Sequence, residues 1–156
     1  TLEMYGLQRP DDHDCNLFHQ VDLMDSEMDC STLLDSDLIV YAIGAGIQAN
    51  LKEGYNLIYN LNVTVPVAIC NKLKELDYKG CFVTFGSVFE MGATTEQRYF
   101  TEQDVLTSLC PAPNDYTVSK RMLSSFVSSY KHDFTHWHFY IPTIYGAGEN
   151  PKRLIP

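Results

Sequence analysis

Tyr116-Thr117-Val118-Ser119-Lys120 sets a phenol and an ammonium four residues apart, and the organisation of the chain turns on what this stretch is. Val118, Met122, Phe126 and Tyr130 recur at period four, with Leu123 and Val127 beside them, which predicts a helix. Asn114 or Asp115 can cap its start. Residues at i and i+4 share a helix face, so the two polar heads are neighbours. A free phenol ionises near ~10 and is a poor acid or base at neutral pH. A neighbouring ammonium favours the phenolate and lowers that value. A Tyr tuned in this way can exchange a proton with a carbinol oxygen. The same pair also falls together by chance in helices that do no chemistry, so its neighbourhood decides.

Upstream, Cys81-Phe82-Val83-Thr84-Phe85-Gly86-Ser87 is an apolar run that predicts a buried strand delivering Ser87 at its C-terminal end. In open α/β sheets that end faces the ligand crevice. Downstream, 136–142 predicts another strand, closing on Ile141-Pro142 and followed by Thr143 and a Gly-rich segment through Gly148.

Thr1 to Gln8 alternates around Leu2, Met4 and Leu7 and predicts a strand that stops at Arg9-Pro10. Asp11 to Asp14 is a polar loop, 16–21 a short strand ending at Asp22-Leu23, and 24–34 a weakly patterned helix. Asp37 to Ile43 predicts a buried strand, followed by Gly44. Apolar residues at helical spacing span 55–76, with Pro66 predicting a kink or two abutting helices. Residues 88–113 form a long, unpatterned connection of the kind that is often functional. Strands alternating with helices predict an α/β, parallel sheet with right-handed crossovers.

The chain has 156 residues, one domain's worth, and a net charge of −9. That balance argues against a nucleic-acid binder. Between Arg9 and Lys52 there are nine acidic residues and no Lys or Arg, which suggests a solvated surface. Five scattered cysteines without a Cys/His cluster give no sign of a metal site and fit a reduced, cytoplasmic setting. No apolar run approaches membrane-spanning length.

Strand–Ser87, helix–Tyr116/Lys120 and strand–Pro142, in this order, resemble the extended short-chain dehydrogenase/reductase family of NAD(P)-dependent sugar-nucleotide epimerases, dehydratases and reductases. The resemblance implies a Rossmann-type doubly wound parallel sheet of order 3-2-1-4-5-6. It covers nearly the whole chain, with residues 1–147 as a partial NAD(P)-binding domain and 148–156 opening the substrate-binding region. The family's first strand and its GxxGxxG turn have no counterpart here. The chain therefore reads as a fragment starting at strand two, one not expected to bind cofactor stably alone.

By the same resemblance Ser87, Tyr116 and Lys120 are the catalytic set, and Tyr116 and Lys120 also approach the cofactor. Asp22-Leu23 would meet the adenine, Ile43 and Gly44 would lie along the cofactor, and Ile141-Pro142 would abut the nicotinamide. Asn62 matches an Asn that opens the helix after strand four, or else caps or packs that helix. Glu90 and Thr143 fall at substrate-contacting places, although Glu90 can equally be a helix-start carboxylate. Met91 stands where Tyr is usual. Val88 and Phe89 replace the Asp-Glu pair of the dehydratases, which disfavours dehydration. Strand two ends in Arg9 without an acidic residue, suiting a 2′-phosphate, so NADP is expected over NAD. The implied function is 4-keto reduction of a nucleotide sugar by a homodimer. A nucleotide-sugar 4-epimerase holding NAD tightly, or a non-catalytic nucleotide-sensing protein, are the alternatives.

Overall fold

The computed structural model describes residues 1–9, 15–24, 28–47 and 52–144. The expected loop at 11–14 and the residues from 145 onward, with the expected second region at 148–156, lie outside them.

Strands β1 (Glu3–Gly6) and β2 (Leu17–Gln20) pair in parallel, Glu3 opposite Leu17. Strands β3 (Leu38–Val40), β4 (Cys81–Ser87) and β5 (Thr135–Ile141) form a second parallel sheet with β4 in the middle. A central parallel strand is covered on both sides, which is why β4 is a nearly unbroken apolar run. Among the described residues no ladder joins β1 to β3. Tyr5 and Leu23 instead pack against the main core of Tyr41, Ile69, Cys70, Leu73, Tyr78, Phe82 and Phe134. The architecture is the α/β, Rossmann-like one expected.

Register divides the second sheet into two faces. Ile39, Phe82 and His136 stand in one row, followed by Thr84 beside His138 and Gly86 beside Tyr140. This face packs against the helices. The opposite face carries Leu38, Val40, Trp137 and Phe139, each about half exposed.

Two expectations are corrected, and the two helices expected to abut near Pro66 are found with a π-helical turn between them. First, of the helix expected at 24–34, the described part is a single 3-10 turn at Cys30–Leu33, capped by Asp29. Asp29 and Thr32 spend their side chains on nearby backbone, which competes with helix propagation.

The 55–76 stretch is α1 (Tyr55–Tyr59), a π-helical turn (Asn60–Thr64) and α2 (Val65–Glu75). Pro66 has no N–H for the carbonyl four residues back, and Val65 N–H bonds to the Asn60 carbonyl five back.

Second, 88–113 is not unpatterned. It holds a 3-10 turn at Val88–Met91 and helix α3 (Glu102–Leu106). A Thr101/Asp104 capping box starts α3, and Arg98 binds Asp104 through its NH1 and NH2 groups.

Candidate active site

Helix α4 (Asp115–Ser129) begins where expected, with the Asn114 side chain accepting from Thr117 N–H at 2.9 Å. Its first two turns carry Tyr116 and Lys120 inward, both 8 % exposed. The Lys120 ammonium donates to the Phe85 carbonyl on β4 at 2.9 Å and lies 5.9 Å from the Tyr116 ring centre. Burial pushes the Lys120 ammonium below the ordinary lysine range, and the Glu90 carboxylate opposes that push. A lysine held this way can share or release a proton more readily than a surface one.

A cavity of about 210 Å³ opens beside this pair, lined among others by Ile43, Gly44, Asn62, Phe85, Tyr116 and Lys120. Asn62 ties the site together. Its Oδ1 accepts from Ala45 N–H, and its Nδ2 donates to the Ala45 carbonyl and to Ser119 Oγ, each at 2.9 Å. Ser119 in turn donates to the Tyr116 carbonyl at 2.8 Å. The loop after β3 is thereby clamped to the turn that carries Tyr116. The π-helical turn is what aims Asn62 into this clamp. Gly44 is needed here, since a Cβ on it would stand 3.1 Å from Asn62 Oδ1 and 3.8 Å from Lys120 Nζ.

Ser87 ends β4 opposite Ile141 of β5. It is 4 % exposed, and its Oγ accepts from Phe89 N–H at 3.2 Å, leaving the O–H to donate. Glu90 does not reach the crevice as expected of a substrate contact. It is fully buried, with Oε1 accepting from Ser87 N–H at 2.7 Å and Oε2 from Ser124 O–H at 2.6 Å. The helix-start reading applies: Glu90 closes a capping box with Ser87. Burial raises its pKa, and the Ser124 and Ser87 hydrogen bonds with the Lys120 and Arg121 charges pull it back.

Thr143 and Pro142 are exposed beyond β5. Arg9 is exposed beyond β1, and Asp22 follows β2, where its carboxylate accepts from Met24 N–H at 2.9 Å. Leu23 lines a second cavity, of about 500 Å³, against α2. Of the expected site residues, then, Ile43, Gly44, Tyr116 and Lys120 share one cavity, while Arg9, Asp22, Leu23, Ser87, Glu90, Ile141, Pro142 and Thr143 do not line it. The cavity beside Gly44 and the buried Tyr116/Lys120 pair could hold the reactive end of a nicotinamide nucleotide.

Sequence reasoning missed one cluster. Cys70 from α2, His132 after α4 and His136 on β5 offer donor atoms within 4.8 Å of one another. His132 and His136 are four residues apart, but Cys70 lies 62 positions before His132, so the sequence does not announce the three as a group. In the structure they are hydrogen-bonded, Cys70 Sγ to His132 Nδ1 and His132 Nε2 to His136 Nδ1, each 3.2 Å apart. None of the five cysteines is in a disulfide.

A profile of the NAD dependent epimerase/dehydratase family matches residues 3–156. No curated protein matches the chain. Among solved structures, a 4-hydroxyisoleucine dehydrogenase mutant complexed with NADH and succinate is 24% identical, with a TM-score of 0.43 over 70% of this chain and 45% of that one. The same dehydrogenase complexed with NADH and succinate is 24% identical, with a TM-score of 0.44 over 71% of this chain and 48% of that one. The chain thus spans about half the length of these structures.

Proposed function

Because the chain belongs to the NAD dependent epimerase/dehydratase family, we propose that it carries the catalytic half of an NAD(P)-dependent oxidoreductase that reduces the 4-keto group of a nucleotide sugar. The observation that carries this reading is the cavity that Tyr116, Lys120, Ile43 and Gly44 share. The nicotinamide supplies the hydride. Tyr116 O–H gives its proton to the carbonyl oxygen as that oxygen becomes a carbinol. The Lys120 ammonium, held between the Phe85 carbonyl and the Tyr116 ring, stabilises the phenolate left behind. Ser87 O–H orients the carbonyl. Val88 and Phe89, next to Ser87, have no proton to move, which favours reduction over dehydration. Arg9, at the end of β1, suits a 2′-phosphate and favours NADP.

A 4-epimerase that holds NAD tightly is the second reading. It would use the same Tyr116 and Lys120 to oxidise and then reduce one carbon. The full-length enzyme separates the two. Oxidation of NADPH by a 4-keto-6-deoxy nucleotide sugar, abolished by Tyr116→Phe, supports the reductase. Stoichiometric NAD released by acid, without NADPH turnover, supports the epimerase. Retention of the biological role in Tyr116→Phe would instead favour a non-catalytic nucleotide sensor.

The same reading makes the full-length protein a homodimer through α1 and α4. These helices lie side by side, with Tyr59 O–H donating to Asp115 at 3.0 Å, and Tyr55, Val118 and Met122 are exposed. Val118→Asp with Met122→Asp is expected to halve the mass measured by light scattering.

A further inference from the structure

We propose that a directed proton relay runs along β4 and β5 from His132 to Glu90 and sets the charge Glu90 presents to Lys120; that last link rests on the role given to Lys120 above. Every step is within hydrogen-bond reach. His132 Nε2 is 3.2 Å from His136 Nδ1, and His136 Nε2 is 2.9 Å from Thr84 Oγ1. Thr84 Oγ1 is 2.8 Å from His138 Nδ1, and His138 Nε2 is 2.8 Å from Ser124 Oγ. Ser124 O–H donates to Glu90 Oε2 at 2.6 Å. Behind His132 stands the Cys70 thiol, 3.2 Å from Nδ1.

For the hydrogen bonds just named, one assignment of protons satisfies the chain while Glu90 is a carboxylate; His132 also meets the Val127 backbone, and Ser124 the Tyr140 side chain. A carboxylate only accepts, and a neutral imidazole has one donor and one acceptor. Ser124 must therefore donate to Glu90, and His138 Nε2–H must donate to Ser124. His138 Nδ1 then accepts from Thr84 O–H, which itself accepts from His136 Nε2–H. His136 Nδ1 accepts from His132 Nε2–H, and His132 Nδ1 accepts from the Cys70 thiol. Burial keeps the members neutral: it lowers His136 and His138 to about 4, lowers His132, and raises Cys70 to about 12. Among the described residues no buried side-chain nitrogen or oxygen lacks a partner.

A solvent proton arriving at His132 Nδ1 sends its Nε2 proton to His136 Nδ1. The transfer repeats through Thr84, His138 and Ser124 and forms the O–H of Glu90. One proton enters, one negative charge is neutralised, and every donor in the chain reverses. His132 is the end nearest solvent, half-buried, with Lys74 and Asp133 beside it. Glu90 is faced by Lys120 and Arg121 of α4, and Tyr140 of β5 approaches Ser124. Gly86 makes the crossing possible: a Cβ there would stand 2.7 Å from both Glu90 Oε1 and His138 Nε2.

Nitrogen-15 NMR of the histidine rings of the chain, in chelator, tests the relay without any turnover. It stands apart from the fate of the reductase reading. In the unmodified chain at neutral pH, His132, His136 and His138 are all expected as Nε2–H. In Glu90→Gln the amide oxygen must stay on Ser87 N–H, so the NH2 group faces Ser124 and reverses the chain. All three histidines are then expected to switch to Nδ1–H. Adding Ser124→Ala to Glu90→Gln should abolish that switch. Mixed tautomers in the unmodified chain, or a Glu90→Gln chain with unchanged His136 and His132, would overturn the proposal. Thr84→Val gives an independent cut, leaving His138 as Nε2–H while His136 and His132 become mixed. If it leaves all three unchanged, the relay is likewise rejected. With Zn2+ added, capture of the metal by Cys70, His132 and His136 would engage the ring nitrogens that pass the proton. With the metal bound, a His136 tautomer that still follows residue 90 counts against the relay.

Discussion

At the scale of the residue, the site is defined by groups that leave no spare volume. A methyl group at Gly86 would meet Glu90, His138 and the Tyr140 ring at 2.7, 2.7 and 2.9 Å. Two of those neighbours are pinned by their own hydrogen bonds, so they cannot move aside cheaply. Gly86→Ala is expected to destabilise the chain by roughly 1–3 kcal/mol, the usual cost of overpacking. A denaturant midpoint equal to that of the parent would refute this. The positions of Tyr116, Lys120 and Ser87 at a helix start and a strand end are legible in the sequence. Glu90 was legible as a position, but its direction was not. Whether a carboxylate after a strand faces a crevice or the backbone behind it depends on Ser124, which is 34 residues away.

At the scale of the element, strong periodicity and good caps were read correctly. α4 has both. Asn114→Ala removes the bond to Thr117 N–H and is expected to cost about 1 kcal/mol, measured by urea unfolding. An unchanged midpoint would mean that another group takes over the cap. The long 55–76 segment was identified as helical with a break at Pro66, but the break is a π-helical turn just before the proline. It turns Asn62 toward Ala45 and Ser119 and so joins the helix, the loop after β3 and the turn that carries Tyr116. The helix expected at 24–34 rested on weak patterning, and its polar residues make local turns instead. α3 was overlooked although Thr101 and Asp104 have the spacing of a capping box. Its five residues are too few to show periodicity.

At the scale of the whole molecule, the helix-facing side of the sheet carries two partly buried histidines, His136 and His138. His136 and His138 titrate at about 4 when folded, against 6.5 for the ordinary side chain. Between those values the unfolded chain binds more protons than the folded one. The stability they contribute is complete above about 6.5 and is lost as pH falls toward 4. Glu90, raised by burial, acts in the opposite sense, so the two histidines outnumber it. The thermal midpoint is expected to fall steadily as pH drops through this window, and to fall less in His138→Gln. A midpoint independent of pH over that range would contradict the neutral state of both rings. Across the sheet, Leu38, Val40, Trp137 and Phe139 present an apolar face, while parallel sheets ordinarily cover both sides. No described helix of this chain is long and apolar enough to cross a membrane.

The sequence by itself determined the alternation of strands and helices, the parallel sheet, and the placing of Ser87 and the Tyr116/Lys120 pair at strand end and helix start. These are local properties: apolar period, caps, and the few residues that can follow a strand. Only the tertiary structure decided that Asn62 would clamp the loop after β3, that Glu90 would turn inward, and that Cys70, Thr84, Ser124 and three histidines would join into one chain. Most of those contacts link residues between 14 and 62 positions apart. They exist because adjacent parallel strands align side chains on one face, and because burial leaves each polar group no partner but another.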